Sequence, residues 1–510
     1  MADIISSLIA AHPEGANAIG APNRHWLSYG GLRDLSNQVA QSLSIFGIGR
    51  GDRVAIVLPN GPEMATAFFT VAQVATTAPL NPAYREDEYA FYLEDLRAKA
   101  LIVETDYNGP ALHVAEKFGI KIIRLSYVET DPAGQFTLTA DAAPIKADMS
   151  DLEPNDLALI LHTSGTTSRP KIVPLTQSNL CASAHNIKAA LDLTPHDCCL
   201  NVMPLFHIHG LIAALSASLS AGAQVSCTSG FNALRFFSQL DEVRPTWYTA
   251  VPTMHQAILA RAERNKDIIA NAPLRFLRSS SASLPAPVMN ELVEVFGAPV
   301  IEAYGMTEAT HQMCSNPLPP RAQKPGSVGI AAGPQVRIAD EALDKLLDHG
   351  ATGEVVISGP NVTPGYEGNP KANESSFFII DGQRWFRTGD QGAFDSEGYL
   401  CLTGRLKEII NRGGEKISPL EIDAVILAHP EIEQVVCFAV PHPKLGEDIA
   451  AAVVLKEGSK LDEPAIRDFI AQQVSAFKVP RSVVILDEIP KGATGKIQRI
   501  GMAKSLGMID

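Results

Sequence analysis

The chain has 510 residues, of which 46% are hydrophobic and 19% are charged, and its formal net charge is -14. This length exceeds what one hydrophobic core supports, so we expect at least two domains, and the composition excludes a mostly disordered chain. The acidic balance argues against nucleic acids and anionic membranes as partners, since both are bound through basic surfaces. The seven cysteines have no CxxC spacing, and the first residues contain no basic segment before an apolar run. Both features favour a cytoplasmic protein with reduced thiols.

Helical and strand-like segments alternate along the first four-fifths of the chain. Apolar spacing predicts helices over 34–46 and 63–78, and β-like runs lie at 53–58, 157–161, 246–251 and 300–303. This alternation predicts an α/β fold with a large N-terminal domain of mainly parallel sheets. Glycines and short β-like runs between 326 and 414 indicate a distorted, barrel-like sheet in that section.

The pattern changes after Gly404. Ser418-Pro419-Leu420-Glu421 reads as a capping box with proline at the first helical position, so a helix is predicted to run to about residue 428. Strands are predicted at 435–440, 449–455 and 483–486, and a helix at 464–474. We therefore expect a large domain over 1–404, a hinge over 405–408 and a small α+β domain over 409–510.

Residues 162–175 read HTSGTTSRPKIVPL and follow an apolar run. The spacing of Gly165 and Lys171 equals that of a Walker A loop, but Pro170 replaces the second glycine and Ile172 replaces the Mg²⁺-binding hydroxyl. The hydroxyls, the backbone N–H groups and Lys171 still suit phosphate oxygens. Taken alone, the stretch fits a polar surface loop as well as a phosphate cradle.

Three later stretches carry chemistry of the same kind. In EAYGMTEATH, residues 302–311, Tyr304 can stack on a base, while Thr307 and Glu308 pair a hydroxyl with a carboxylate, as Mg²⁺ prefers. In TGD, Asp390 is predicted at a strand end, where a carboxylate can accept from ribose hydroxyls. Lys496 lies in the glycine-containing PKGATGKIQR. Each stretch also fits an ordinary strand end or loop.

Together and in this order, the motifs resemble the adenylate-forming superfamily, which includes acyl-CoA synthetases, luciferases and peptide-synthetase adenylation domains. They are SGTTSRPK, YGMTE, TGD, GRLK followed by GGEKISPLEI, and PKGATGK, and the resemblance extends from about Trp26 to the last residue. It implies a fold with a small mobile C-terminal lid. It also implies an acid–CoA ligase that forms an acyl-adenylate and then a thioester, with ATP, Mg²⁺ and coenzyme A as co-substrates and no permanently bound cofactor.

The resemblance further implies roles for the residues at matching positions. The implied catalytic residues are Lys496, Thr307, Glu308 and Lys171, and Glu308 is also the implied Mg²⁺ ligand. The implied ATP and AMP contacts are Thr163, Ser164, Gly165, Thr166, Thr167, Glu302, Ala303, Tyr304, Asp390 and Arg405. Lys407 is the implied hinge residue, and the implied coenzyme A contacts are Gly413, Gly414 and Glu415. The chain departs from the pattern at Ser168 and Ile172, where glycine is usual, and the β-branched Ile172 predicts a stiffer loop.

Four segments narrow the resemblance to oxalate–CoA ligases: PLFHIHG, TWYTAVPTMHQ, LRSSSASLP and EATHQM. A buried small dianion needs hydrogen-bond donors, and these segments supply hydroxyls and imidazoles where a long apolar acid would need a tunnel. The expected acid contacts are His207, Ser280, Ser281 and His311, with His311 at the distal carboxylate. His207 also fits a general gate residue. Malonate, glycolate or another short-chain acid, loading of a carrier protein, and a non-catalytic nucleotide sensor are the alternatives.

Overall fold

The computed structural model describes residues 4–143, 145–163, 170–490 and 497–509. Within these ranges the strands β1 to β27 are, in chain order, Asn17–Gly20, Leu27–Ser28, Arg53–Val57, Thr76–Pro79, Ala100–Glu104, Lys121–Ser126, Thr137–Thr139, Leu157–Thr163, Lys171–Thr176, Cys198–Asn201, Gln224–Cys227, Trp247–Ala250, Phe276–Ser279, Val300–Met306, His311–Ser315, Ile330–Ala331, Gln335–Ala339, Leu346–Leu347, Gly353–Ser358, Phe377–Ile380, Gln383–Phe394, Leu400–Arg405, Ile410–Arg412, Glu415–Ile417, Ile432–His442, Gly446–Leu455 and Ser482–Ile485. The helices α1 to α14 are Tyr29–Ile45, Pro62–Val71, Glu86–Leu96, Pro110–Phe118, Gln177–Ala190, Ala217–Ser220, Phe236–Val243, Pro252–Ala262, Lys266–Asn271, Ala286–Phe296, Pro370–Ser376, Pro419–Leu427, Glu463–Ala471 and Met502–Ser505. A π-helix, His209–Ser216, leads into α6.

Two large sheets with parallel centres build the first part of the chain. The nine-stranded sheet has the order β16-β15-β14-β13-β12-β10-β11-β1-β2, and it is parallel from β1 to β14. The seven-stranded sheet has the order β7-β6-β5-β3-β4-β8-β9, and it is parallel from β6 to β8. Both sheets are covered by helices, so the α/β prediction is confirmed.

A six-stranded antiparallel sheet follows in the glycine-rich section. Its order is β18-β17-β19-β21-β20, with β22 paired to β21. The pairing register shifts between β19 and β21 and again between β21 and β22. Such irregular pairing bends a sheet, which agrees with the distorted sheet expected for residues 326–414.

The last hundred residues form a five-stranded sheet of their own, in the order β24-β23-β26-β25 with β27 paired to β26. α12 begins at Pro419, and the hydroxyl of Ser418 accepts from the N–H of Glu421. The Glu421 carboxylate accepts from Lys478 instead of returning to the cap. Apolar residues between 410 and 503 form two separate clusters in this part. The division at 404 and 409 stays a prediction.

The predicted helix over 63–78 is too long. α2 ends at Val71, and Thr76–Pro79 is the strand β4, which lies between β3 and β8 and is buried along its whole length. A strand buried on both faces has a continuous apolar sequence without the alternation of an exposed strand, so it cannot be distinguished from a helix end by periodicity.

Ile172 belongs to the strand β9, so the expectation that it stiffens a loop is wrong. It lies opposite His162 on β8 and is 7% exposed. Its side chain belongs to the apolar cluster that also contains Val57 and Ile160. A β-branched residue suits a buried strand position, so Ile172 stabilises the strand that follows the hydroxyl-rich stretch.

Candidate active site

Tyr304, Asp390 and Arg405 form one connected cluster where two sheets meet. The Tyr304 hydroxyl donates a hydrogen bond to the Asp390 carboxylate. Arg405 Nε lies 3.5 Å from Asp390 Oδ1, because the two residues are opposite each other on antiparallel β21 and β22. Burial raises the pKa of Asp390, and the Arg405 charge and the Tyr304 hydroxyl oppose that shift. Three residues assigned to adenine and ribose are therefore brought together.

Asp390 was predicted at a strand end, but it lies inside β21. The glycine of TGD suggested a turn, and Gly389 indeed has a φ of +75°, which glycine adopts without steric cost. The strand continues past it, with a register shift against β19 between Arg387 and Gln391. A bulge of this kind accommodates the glycine without ending the strand.

Glu308, Lys171 and Tyr366 form a second cluster next to the first. Tyr366 donates its hydroxyl to Glu308 Oε1 over 2.8 Å, and Lys171 Nζ lies 4.3 Å from the centre of the Tyr366 ring. Burial raises the pKa of Glu308, while the Tyr366 hydrogen bond and the Lys171 charge lower it. Burial lowers the pKa of Lys171. The charge of Glu308 opposes this shift, and the charge of the neighbouring Lys407 adds to it. Thr307 begins the short 3-10 turn that carries Glu308.

Gly305 allows β14 to pass close to the residues that follow this turn. A Cβ atom on Gly305 would lie 1.9 Å from the carbonyl oxygen of His311. Thr310 and His311 have φ values of +50° and +96°, a region that side chains rarely adopt. The turn sets the His311 ring 4.9 Å from the His209 ring, edge to face.

His209 contacts both Ser281 and His311. Its Nδ1 lies 3.0 Å from Ser281 Oγ, and its Nε2 lies 2.6 Å from Thr249 Oγ1. Ser281 has a φ of +73° and is half-buried. Two of the four expected acid contacts thus meet at a histidine to which the sequence assigned no acid role.

Ser280 and His207 are placed differently. The Ser280 hydroxyl donates to the carbonyl oxygen of Ala303 over 2.8 Å, so its proton links the ends of β13 and β14. The half-buried His207 ring lies 4.7 Å from its neighbour Phe206. Their roles as acid contacts stay predictions.

Two residues near these clusters, Arg278 and Tyr366, were missed from the sequence, and Glu302 was assigned only as a nucleotide contact. Arg278 and Glu302 are buried on β13 and β14, where one charged residue interrupts a strand of otherwise apolar or small side chains. That interruption is a usable signal, since buried charges are rare. Tyr366 follows Gly365 in a loop and gave no periodic or motif signal.

The expected coenzyme A residues lie in a hairpin. Gly413 and Gly414, with φ values of +62° and +98°, are the two turn residues between paired Arg412 and Glu415. A two-residue hairpin turn with two positive φ values favours glycine. Thr163 ends β8 and pairs with Lys171. Ser164, Gly165, Thr166, Thr167 and Lys496 lie outside the described residues.

Two family descriptions match this chain. The AMP-binding enzyme family matches residues 8–367, and the AMP-binding enzyme C-terminal domain matches residues 421–496. The chain belongs to the AMP-binding enzyme family. The expected membership of the adenylate-forming superfamily is thereby confirmed.

Similar proteins support the same assignment. An oxalate–CoA ligase of Arabidopsis thaliana is 47% identical over 490 residues, with 94% of each chain covered. An oxalate–CoA ligase of Saccharomyces cerevisiae is 41% identical over 505 residues, which cover 93% of this chain and 92% of the relative. The crystal structure of ATP-bound MatB from Rhodopseudomonas palustris superposes with a TM-score of 0.88, at 28% identity and 99% coverage of each chain.

The described residues of this AMP-binding enzyme contain neither a membrane-spanning helix nor a cluster of metal ligands. Among the helices in the ranges given above, none is both long and apolar enough to cross a membrane. In the same ranges no three His, Cys, Asp or Glu side chains are grouped as metal ligands. A cation bound mainly by substrate phosphates does not require such a group, because Mg²⁺ commonly takes only one or two carboxylates from the protein.

Proposed function

We propose that this AMP-binding enzyme is an ATP-dependent acid–CoA ligase whose acid is oxalate. The acid attacks the α-phosphate of ATP, forming an acyl-adenylate and releasing pyrophosphate. The thiol of coenzyme A then attacks the activated carbonyl, forming the thioester and releasing AMP. The observation that carries the choice of a small dianion is the polar cluster of His209, Ser281 and His311 beside β14, and the two oxalate–CoA ligase relatives support it.

For the nucleotide, we propose that Tyr304 stacks on adenine, with the Glu302–Ala303 backbone alongside. Asp390 accepts from the ribose hydroxyls, and Arg405 holds Asp390 from the opposite strand. A buried carboxylate whose charge is countered by one arginine retains acceptor sites for a sugar. The β- and γ-phosphates are contacted by Thr163, the 164–167 segment and Lys171. A cation and hydroxyl donors there stabilise the negative charge that develops on the departing pyrophosphate.

The residues around Glu308 fit Mg²⁺. A buried carboxylate and the Thr307 hydroxyl are hard oxygen donors, and burial raises the pKa of Glu308, so a neighbouring divalent cation would stabilise its ionised form. Bound with ATP, Mg²⁺ supplies positive charge to the phosphates. Lys171 and Tyr366 orient and charge-balance the Glu308 side chain from the other side.

For the second half-reaction, we propose that the domain over 409–510 rotates about Lys407 in the 405–408 hinge. Lys496 serves acyl-adenylate formation, and Gly413, Gly414 and Glu415 line the coenzyme A path after the rotation. Such a lid protects a hydrolysis-prone adenylate from water. We propose a cytoplasmic location, which suits a chain with seven cysteines in no disulfide-like spacing.

Acid-dependent exchange of labelled pyrophosphate into ATP tests the first half-reaction directly. We expect exchange with oxalate and Mg²⁺, followed by AMP release when coenzyme A is added. ATP binding without acid-dependent exchange would favour the nucleotide sensor. AMP release with a holo-carrier protein but not with coenzyme A would favour carrier loading.

A further inference from the structure

Arg278 is a buried cation next to the residues that we propose bind the acid. It lies on β13, the fourth strand of the nine-stranded sheet, and is 0% exposed. Its Nη1 lies 3.2 Å from His209 Nε2 and 3.4 Å from Thr249 Oγ1, and its Nη2 donates to Gln312 Oε1 over 3.2 Å. The guanidinium of Arg278 therefore contacts His209, Thr249 and Gln312 at once.

No carboxylate pairs with Arg278 in the part of the chain that the structure describes. Burial lowers its pKa to about 9, so the group remains a cation at neutral pH. A buried charge without an opposite charge is costly, and such a site is stabilised when an anion arrives. Arginine is donor-only, whatever the surroundings.

This donor decides which nitrogen of His209 carries the proton. A guanidinium hydrogen points at Nε2, and a proton on Nε2 would face that hydrogen at close range. The geometry therefore favours Nε2 as an acceptor, with the Thr249 hydroxyl donating to it over 2.6 Å. His209 therefore carries a proton on Nδ1, and that N–H donates to Ser281 Oγ over 3.0 Å.

The tautomer in turn decides what Ser281 can do. A hydroxyl has one proton, and because Ser281 Oγ accepts from His209, its own proton is free to point at another acceptor. The backbone holds Ser281 at a φ of +73°, which is costly for a residue other than glycine and is typical of positions constrained for function.

We propose that Arg278 is a positioning residue that fixes the Nδ1–H tautomer of His209 and so makes Ser281 a hydrogen-bond donor to the second carboxylate of the acid. This inference rests on the proposed acid site, but not on which dicarboxylic acid binds there. Without the guanidinium of Arg278, the proton of His209 could move from Nδ1 to Nε2, and Nε2–H would donate to Thr249. Ser281 would then donate to Nδ1.

Nitrogen NMR of the protein labelled with ¹⁵N-histidine measures the tautomer without any substrate. The chain has 13 histidines, and the signal missing from His209→Asn assigns His209. We expect the Nδ1–H form in the wild type and in Arg278→Lys, and the Nε2–H form in Arg278→Met. The Nε2–H form in the wild type would overturn the proposal, and this reading does not require Arg278→Met to fold.

Kinetics provide the second readout. We expect Arg278→Met and Ser281→Ala each to raise KM for the acid by on the order of 10- to 100-fold, the loss of one hydrogen bond to a charged group. KM for ATP should not change, and Arg278→Lys should recover most of the acid affinity. Ser283→Ala, which alters an exposed serine of the same loop, is the matched control.

Two outcomes separate this inference from the proposed function. If another dicarboxylic acid is preferred over oxalate while His209 holds the Nδ1 proton and KM for that acid rises in Arg278→Met, the choice of oxalate fails and the inference stands. If oxalate is preferred but Arg278→Met leaves the tautomer and KM for oxalate unchanged, the inference fails and the proposed function stands.

Discussion

The hydroxyl of Tyr366 donates a hydrogen bond to Oε1 of Glu308 over 2.8 Å, and the Tyr366 ring also faces Lys171. Tyr366 comes from a loop after β19, far along the chain from both partners. It joins the proposed Mg²⁺ ligand to the lysine proposed for the phosphates. The charge state of Glu308 therefore depends on a residue that no motif singled out.

Tyr366→Phe should slow acyl-adenylate formation by about tenfold, the worth of one hydrogen bond. The lost hydrogen bond stabilises the ionised carboxylate, so its loss raises the pKa of Glu308 further. Less of the carboxylate is then ionised at a given pH, and the acidic limb of the pH–rate profile should move to higher pH. Pyrophosphate exchange measured from pH 5 to 9 gives both values.

Tyr399→Phe is the control for that variant, because Tyr399 also donates its hydroxyl over 2.8 Å, but to the carbonyl oxygen of Ala322. It should leave the acidic limb in place. An acidic limb that does not move in Tyr366→Phe would contradict the proposed dependence of Glu308 on Tyr366.

Asp390→Asn should raise KM for ATP by on the order of 10- to 100-fold, since it removes a charged acceptor proposed for the ribose. KM for the acid should stay the same. Asp395→Asn removes a carboxylate that pairs with Lys324 over 2.6 Å in the neighbouring turn, and it should change neither constant. Equal rises of both constants in Asp390→Asn would show a general loss of structure rather than a nucleotide contact.

Glu302 should make the folded protein less stable as pH rises. Burial raises its pKa to about 8, against the opposing hydrogen bond from the N–H of Leu284. Between about pH 4.5 and 8 the folded chain keeps a proton that the unfolded chain has lost, so this group lowers the free energy of unfolding by up to about 1.4 kcal/mol per pH unit. Glu302→Gln lacks the titration, and its advantage over wild type should grow from pH 6 to 8.

Thermal unfolding midpoints at several pH values measure this difference. Glu294→Gln, on the exposed face of α10, is the control and should run parallel to wild type. A constant offset between Glu302→Gln and wild type across this range would show that Glu302 does not keep its proton in the folded chain.

Lys496→Ala separates the two half-reactions. We expect it to abolish acyl-adenylate formation while thioester formation from supplied acyl-adenylate continues, because Lys496 is proposed to neutralise charge only while the acid attacks the phosphate. Lys504→Ala, an exposed lysine of the same domain, should affect neither step. Equal loss of both half-reactions in Lys496→Ala would contradict the two-conformation account.

Much of this fold could be predicted because its local signals agree with its packing. Ser418 and Pro419 predicted the start of α12, and the ordered motifs predicted that Tyr304, Asp390 and Arg405 belong to one site. β4 could not be predicted, since a strand buried on both faces has no alternation. The Arg278–His209–Ser281 cluster was also missed, because it joins β13, the start of the π-helix and the loop after β13 through contacts that no sequence spacing encodes.

The preference among acids is the sharpest test of the proposed function. We would measure kcat/KM for AMP release, with ATP, Mg²⁺ and coenzyme A saturating, over oxalate, malonate, glycolate, acetate and a long-chain fatty acid. We expect oxalate to have the highest kcat/KM and the product to be oxalyl-CoA by mass. Malonate, a monocarboxylate or the long-chain acid with the highest value would contradict the choice of oxalate.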